Sequence, residues 1–239
     1  MKQKYTTFVG LILTCCLASA AELATWDVAG IDLNDTTQGH SAPFTIVGTT
    51  SDSGIDVAAL SLGAGVNSTT SSNQYGFKIT NSNSQTTLAG ALANDHYLQF
   101  SISAATGYTL NLTNLEFKGQ ATSTGATGVA ILSDIAGFTD TSAIATISTG
   151  ANATGGFDTD SSGFGSAIDL SDASYQNIAS ATFRIYGWGS TSSSGATYIR
   201  SLSGNDLVIN GTVVPEPSTY ALLAGLLGLT FVMLQRRQA

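Results

Sequence analysis

The sequence predicts an all-β protein, a two-sheet sandwich of jelly-roll type, carried between two apolar ends. Three observations lead there. Apolar and polar residues alternate with period two through the middle of the chain; clusters of Gly, Ser, Asn and Asp punctuate the alternation every few residues; and no window there carries a capped 3.6-residue repeat. The apolar ends, Phe8–Leu17 and Tyr220–Leu234, stand outside this pattern and are read as addresses rather than fold.

At the N-terminus, Lys2 and Lys4 precede the apolar run, and Ala18-Ser19-Ala20 then supplies the small residues a signal peptidase accepts. Residues 1–21 are therefore expected to be a cleaved signal peptide, cut after Ala20 or Ala21. Thr14 precedes Cys15, and Cys15 precedes Cys16, so neither cysteine follows the small residue that a lipid-modified cysteine requires. These are the only two cysteines, which leaves the mature chain without a disulfide, a thiolate nucleophile or a cysteine metal site.

The domain expected over 22–213 begins with candidate strands at Thr25–Ala29, Phe44–Val47 and Gly76–Thr80. Leu98, Phe100 and Ile102 then share one face of a strand, and Tyr108, Leu110 and Leu112 share one face of the next. Between them Ala104-Ala105-Thr106-Gly107 makes a short hairpin connection, with Gly107 free to take positive φ. Leu115 and Phe117 are out of phase with Leu112, which predicts a bulge or corner at Thr113-Asn114. Further strands are expected at Val129–Leu132, Ala143–Ile147, Ala181–Trp188, Ala196–Arg200 and Leu207–Val213, and 67–73 and 190–195 read as polar loop tips. About ten short strands with this much apolar surface need a second sheet to bury it.

Composition narrows the function. From Glu22 to Asp206 there are fifteen acidic residues against four basic ones, Lys78, Lys118, Arg184 and Arg200. A nucleic-acid partner is excluded, because neutralising phosphates takes clustered Lys and Arg. The low charge and the abundance of Ser, Thr, Asn and Gly suit an extracellular β-protein.

The C-terminal segment 214–239 is the most specific feature. Val214-Pro215-Glu216-Pro217-Ser218 leads into Tyr220–Leu234, which is nearly all apolar, and Arg236-Arg237 follow. The two prolines keep the backbone around Glu216 extended. A single transmembrane helix is expected over 220–234, with the arginines as stop-transfer charges on the cytoplasmic side. At 1.5 Å per residue it reaches only about 22 Å against a hydrocarbon core of about 30 Å.

Pro215-Glu216-Pro217, the apolar stretch and Arg236-Arg237 resemble the PEP-CTERM sorting signal of Gram-negative bacteria, with a basic pair where the family often has three or more. That resemblance implies processing by an exosortase, a multi-pass membrane cysteine protease, after export through signal peptidase. It also implies an inner-membrane stage followed by the cell surface or extracellular space, in a setting of exopolysaccharide, biofilm or envelope. The segments 105–117 and 183–189 are similar to recurrent strands of the domain that often precedes such signals. Asn205-Asp206-Leu207 resembles that domain's closing strand with its polar pair inverted.

Other chemistry is thinner. Asp158, Asp160 and Ser162, with Gly163 and Asp169, stand at the first, third, fifth, sixth and twelfth positions of a calcium loop; the same residues also serve an ordinary polar turn. Calcium is the one ion so indicated, and no other cofactor is expected. Arg184, Tyr186 and Trp188 share one face of a strand opposite Phe183 and Ile185, an arrangement that stacks on sugar rings if exposed and joins a core if covered. His40 and His96 are the only histidines; Asp95 adjoins His96, but no Gly-x-Ser-x-Gly elbow accompanies them. Glu116, between Leu115 and Phe117, is expected to face solvent, and no catalytic residue is assigned. The reading is a non-enzymatic exported surface or matrix protein; the alternative is a carbohydrate-binding module or a degenerate secreted glycoside hydrolase on the same scaffold.

Overall fold

The computed structural model describes residues 21–30, 46–50, 52–69, 73–79, 85–148, 155–157, 159, 164–201 and 204–238. Residues 1–20, where a leader is expected, and His40, Asp158, Asp160 and Ser162, lie outside the described residues. The chain runs through β1 (Ala21–Trp26), β2 (Thr49–Thr50), β3 (Ile55–Val57), β4 (Ser61–Leu62), β5 (Asn67–Ser68) and β6 (Gln74–Lys78), then a short helix, α1 (Leu88–Ala93). There follow β7 (Tyr97–Ala104), β8 (Tyr108–Phe117), β9 (Gly119–Ala121), β10 (Gly128–Ser133), β11 (Ala145–Ser148), β12 (Gly155–Gly156) and β13 (Ile168–Asp169). Last come β14 (Ser180–Trp188), β15 (Ala196–Arg200), β16 (Leu207–Pro215) and the helix α2 (Pro217–Gln238).

The all-β class holds, but the strands form three antiparallel sheets rather than two. The first has the order β13-β8-β16-β1-β2, the second β11-β10-β14-β7-β3 with β4 also on β7, and the third β12-β9-β15-β6-β5. The extra division arises at Lys118. β8 and β9 are one extended run broken at this residue, whose N–H donates to the Asp206 carbonyl (2.9 Å) and whose carbonyl accepts from the Arg200 N–H (2.9 Å). The run thus leaves β16 of the first sheet and joins β15 of the third. All three sheets contribute side chains to one apolar core. Trp26 meets Phe100 edge-to-face at 5.4 Å, and Tyr75 sends its hydroxyl to the Leu60 carbonyl at 3.1 Å.

In β7, Leu98, Phe100 and Ile102 are buried as their alternation requires. Leu110, Leu112, Leu115 and Phe117 of β8 are buried too, because the pairing with β16 skips Thr113: Asn114 faces Asn210 and Leu112 faces Gly211. The extra residue restores the inward phase, and its freed carbonyl accepts from the Leu170 N–H at 2.9 Å. Gly107 has φ +86°, as the turn demands. The turn is not a hairpin, however. β7 belongs to the second sheet and β8 to the first, so 104–107 arches across the core between opposite walls.

Three further expectations are corrected. Phe44–Val47 is not a strand where described: Ile46 makes one isolated bridge to Leu60, and Val47 is 74% exposed. Asn67 and Ser68 pair with β6 instead of forming a loop tip; 190–195 is a loop as expected, though Ser190 is buried, its hydroxyl donating to the Thr124 carbonyl at 2.9 Å. A helix, α1, occurs where none is expected. Thr87 caps it, Oγ1 accepting from the Gly90 N–H at 3.2 Å, and Ala91 packs with Ala130, Leu132 and Tyr186 on the outer face of the second sheet. β10 is therefore buried on both faces: Val129 and Ile131 enter the main core, Ala130 and Leu132 the smaller one.

Candidate functional site

The site with the clearest construction is the junction between β16 and α2. β16 lies between β8 and β1, and its ladder with β8 continues beyond the expected end at Val213: Val214 faces Thr109 and Pro215 faces Tyr108. Proline is tolerated there because the strand is ending and the missing N–H breaks no internal rung. The next amide, Glu216 N–H, donates to the Gly107 carbonyl at 2.8 Å. Pro217 then opens α2, where its fixed φ suits the first helical position and its absent N–H would have found no intrahelical acceptor. Pro-Glu-Pro is accordingly not a free extended linker: one proline closes a strand, the other starts a helix, and Glu216 alone lies between.

α2 spans 22 residues, about 33 Å. Leu226, Leu227, Leu229, Phe231, Val232, Met233 and Leu234 are all exposed, and at 100° per residue they occupy every side of the helix. A helix apolar all round lacks the one-sided stripe that docks on a protein surface. Arg236 and Arg237 sit in its last turn, where cations offset the exposed carbonyls. A helix does run through 220–234, as part of the longer α2, but the expectation that it spans a membrane is not supported. Among the described residues no helix is long and apolar enough to cross a membrane. Fifteen nearly apolar residues fall several ångströms short of a hydrocarbon core.

The row on β14 is brought together, with Tyr186 buried and Arg184 and Trp188 half-buried. Arg184 lies between the rings of Tyr97 and Phe138, each 4.1 Å from its guanidinium carbon, and donates to Gln99 Oε1 (2.8 Å) and the Tyr186 hydroxyl (3.1 Å). Tyr186 is buried beneath α1, edge-to-face with Tyr97 at 5.3 Å. Burial pushes its hydroxyl pKa up against the opposing pull of Arg184. Trp188 is half-buried over Gly128, where a Cβ would come within 2.1 Å of the indole. The geometry is that of a second small core with a cation held between two rings.

Of the calcium-loop residues only Asp169 is described. It is exposed, and Oδ1 accepts from the Ser171 N–H at 2.8 Å; the side-chain and backbone bonds of Ser171 hold its carboxyl below the usual range. That is a turn role. Among the described residues no three His, Cys, Asp or Glu side chains converge as a metal site. Glu116 faces solvent, accepting from Asn210 Nδ2 at 3.1 Å.

Two residues prove more important than their sequence context indicates. Asp206 is fully buried, and Oδ2 accepts from the Val28 N–H at 3.0 Å. Only its place in a polar pair before the closing strand marked it. His96 is also fully buried, with neither ring nitrogen hydrogen-bonded within the protein, and the chain after β4 crosses beside it as Gly63 N–H reaches the Tyr97 carbonyl at 2.9 Å.

Burial lowers the His96 pKa below its ordinary 6.5, with the adjacent Asp95 carboxylate pulling the other way. The unfolded chain therefore takes up a proton there at a higher pH than the folded one. The stability His96 allows is present above about pH 6.5 and is lost as pH falls toward the depressed folded value. We expect His96→Leu to flatten this part of the profile, read as the difference in denaturant midpoint between wild type and variant from pH 7 to 5. Parallel profiles would refute the assignment.

Comparison with known proteins finds no family model, no curated protein and no solved structure that matches the chain.

Proposed function

We propose that this chain is an exported, non-enzymatic surface or extracellular-matrix protein whose C-terminal segment is a sorting tag, cut by an exosortase at or near Pro215-Glu216-Pro217. The observation that carries the proposal is the junction itself: a closed β-domain passes through one residue into an exposed helix, apolar on all sides and ended by Arg236-Arg237. In water such a helix leaves its leucines unburied, so a membrane is its natural surroundings. The arginines snorkel to the cytoplasmic face and make up part of the missing length.

The same reading accounts for the other end. The small-residue triplet Ala18-Ser19-Ala20, at which the leader is expected to be removed, lies just before the β-domain. Cysteine is confined to the leader, and the body is acidic and poor in Lys and Arg, as suits a protein displayed outside the cell among polysaccharides. A role in exopolysaccharide, biofilm or envelope follows from the resemblance of the tag.

The test is a Pro215→Ala/Pro217→Ala variant produced in a Gram-negative host that carries an exosortase. The wild type is expected to lose its C-terminal segment, seen as a new C-terminus by mass spectrometry. The double variant is expected to stay at full length in the inner membrane. Normal trimming and release of the variant would overturn the proposal and leave a plain hydrophobic tail.

A further inference from the structure

We infer that removal of the tag is gated by the folded domain: the end of β8 pairs with Pro215 and the Gly107 turn holds the Glu216 amide, so that a protease reaches the motif only after the last β8–β16 pairs open. This rests on the sorting reading above and adds its control.

The lock has three parts. Val214 and Pro215 are paired with Thr109 and Tyr108, Thr109 Oγ1 donates to the Val214 carbonyl at 3.4 Å, and Glu216 N–H is bonded to the Gly107 carbonyl. The turn that supplies this acceptor is itself fastened. Tyr108 N–H donates to Ala105 (3.1 Å), Ala105 N–H to Gly54 (2.8 Å) and Ala104 N–H to Ala179 (2.8 Å). The residues on either side of Gly107 are thus tied down, at Ala104 and Ala105 before it and Tyr108 after it, and the turn does not follow the motif outward. On the other flank α2 begins at Pro217, so no slack is available from the helix.

Cleavage is an acyl transfer. The scissile C–N bond breaks, the carbonyl passes to water as a carboxylate on the domain, and the nitrogen leaves on the tag as an amine. Any enzyme performing it needs the segment drawn out of its hydrogen-bonded setting, which is why exposed loop tips are cut and paired strands are not. When opening is rapid relative to cutting, the rate follows the population of the opened end. The domain therefore sets how fast its own tag is released.

The experiment inserts Gly-Ser-Gly-Ser-Gly-Ser between Val214 and Pro215, leaving motif, helix and arginines intact. In pulse-chase in the exosortase-bearing host the insertion is expected to speed trimming at least tenfold, roughly 1.4 kcal/mol of opening free energy. Trimming at the wild-type rate overturns the gate and leaves the sorting reading standing. If neither chain is trimmed, the sorting reading falls and the gate with it.

Hydrogen exchange on the purified full chain in detergent gives a readout that needs no protease. Between two prolines, Glu216 carries the only backbone amide of the motif. It is expected to be protected in the wild type and to exchange at least tenfold faster in the insertion variant, with the Leu110 and Ile209 amides unchanged as a control on folding. A wild-type Glu216 amide exchanging at the unstructured rate would remove the lock altogether.

Discussion

Trp26→Ala is expected to lower the unfolding free energy by about 3–5 kcal/mol, the usual cost of truncating a buried aromatic to a methyl group. Trp26 is fully buried at the end of β1 and joins two walls of the core. Its ring meets Phe100 of the opposite sheet edge-to-face at 5.4 Å, and Phe100 in turn stacks on Phe183 of β14 at 5.5 Å. The indole Nε1–H donates to the Ala58 carbonyl at 2.9 Å, tying the segment after β3 to β1. Alanine leaves a cavity against Phe100 and removes a donor from that carbonyl.

Trp26→Phe separates the two losses. It keeps most of the ring packing and forfeits the hydrogen bond, so about 1–2 kcal/mol is expected. Denaturant unfolding followed by far-ultraviolet circular dichroism reads both variants without depending on the fluorophore they remove. Since whole domains are stable by about 5–15 kcal/mol, the alanine variant would lose a large share of the total. A loss below about 1 kcal/mol for Trp26→Ala would contradict the packing described.

The parts of this fold that were legible in the sequence are those decided within one strand. Leu98, Phe100 and Ile102 reach the core because period two leaves no other outcome once one face is buried, and the slip at Thr113 showed as a change of parity before any partner was known. The division into three sheets was not legible, because it depends on Lys118 meeting Asp206 and Arg200, more than eighty residues away, and nothing local announces that pairing. α1 escaped for a different reason. Leu88-Ala89-Gly90-Ala91-Leu92-Ala93 is too short and too uniformly apolar to show a period, and its only sign is the capping threonine before it.

The candidate sites divide in the same way. Parity placed Arg184, Tyr186 and Trp188 together on one face of β14, but whether that face is open depended on α1 and Phe138 arriving from elsewhere. At the C-terminus, composition marked Pro-Glu-Pro and the apolar stretch, while the bond from Glu216 to Gly107 came from a turn over a hundred residues earlier. Proline rules forbid a helix interior or a central rung; they do not say that a strand will use its last position for one proline and a helix its first for the other.

Asp206→Ala is expected to be about as damaging as Trp26→Ala, at roughly 3–5 kcal/mol, and for an electrostatic reason. The carboxylate is fully buried where the first and third sheets part. Oδ2 takes the Val28 N–H at 3.0 Å, while Oδ1 is 3.9 Å from Lys118 Nζ, at the far limit of an ion pair, and that lysine is 18% exposed. The short charge-assisted bond outweighs the long, partly solvated pair. The backbone adds a second tie, with Asp206 N–H on the Trp26 carbonyl at 3.3 Å and the Asp206 carbonyl receiving the Lys118 N–H. Removing the side chain strands the Val28 donor beside Trp26, at the joint that holds β1 in place. Asp206→Asn keeps an acceptor for Val28 without the charge and is expected to cost about half as much, and Lys118→Met, which retains the aliphatic stem, under about 1 kcal/mol. Denaturant midpoints of the three variants give the order directly. Lys118 Nζ also donates to the Asn205 carbonyl at 2.8 Å, so Asp206→Asn is the deciding variant: were it to cost as much as Asp206→Ala, the charge and not the Val28 bond would be the reason this acid is buried.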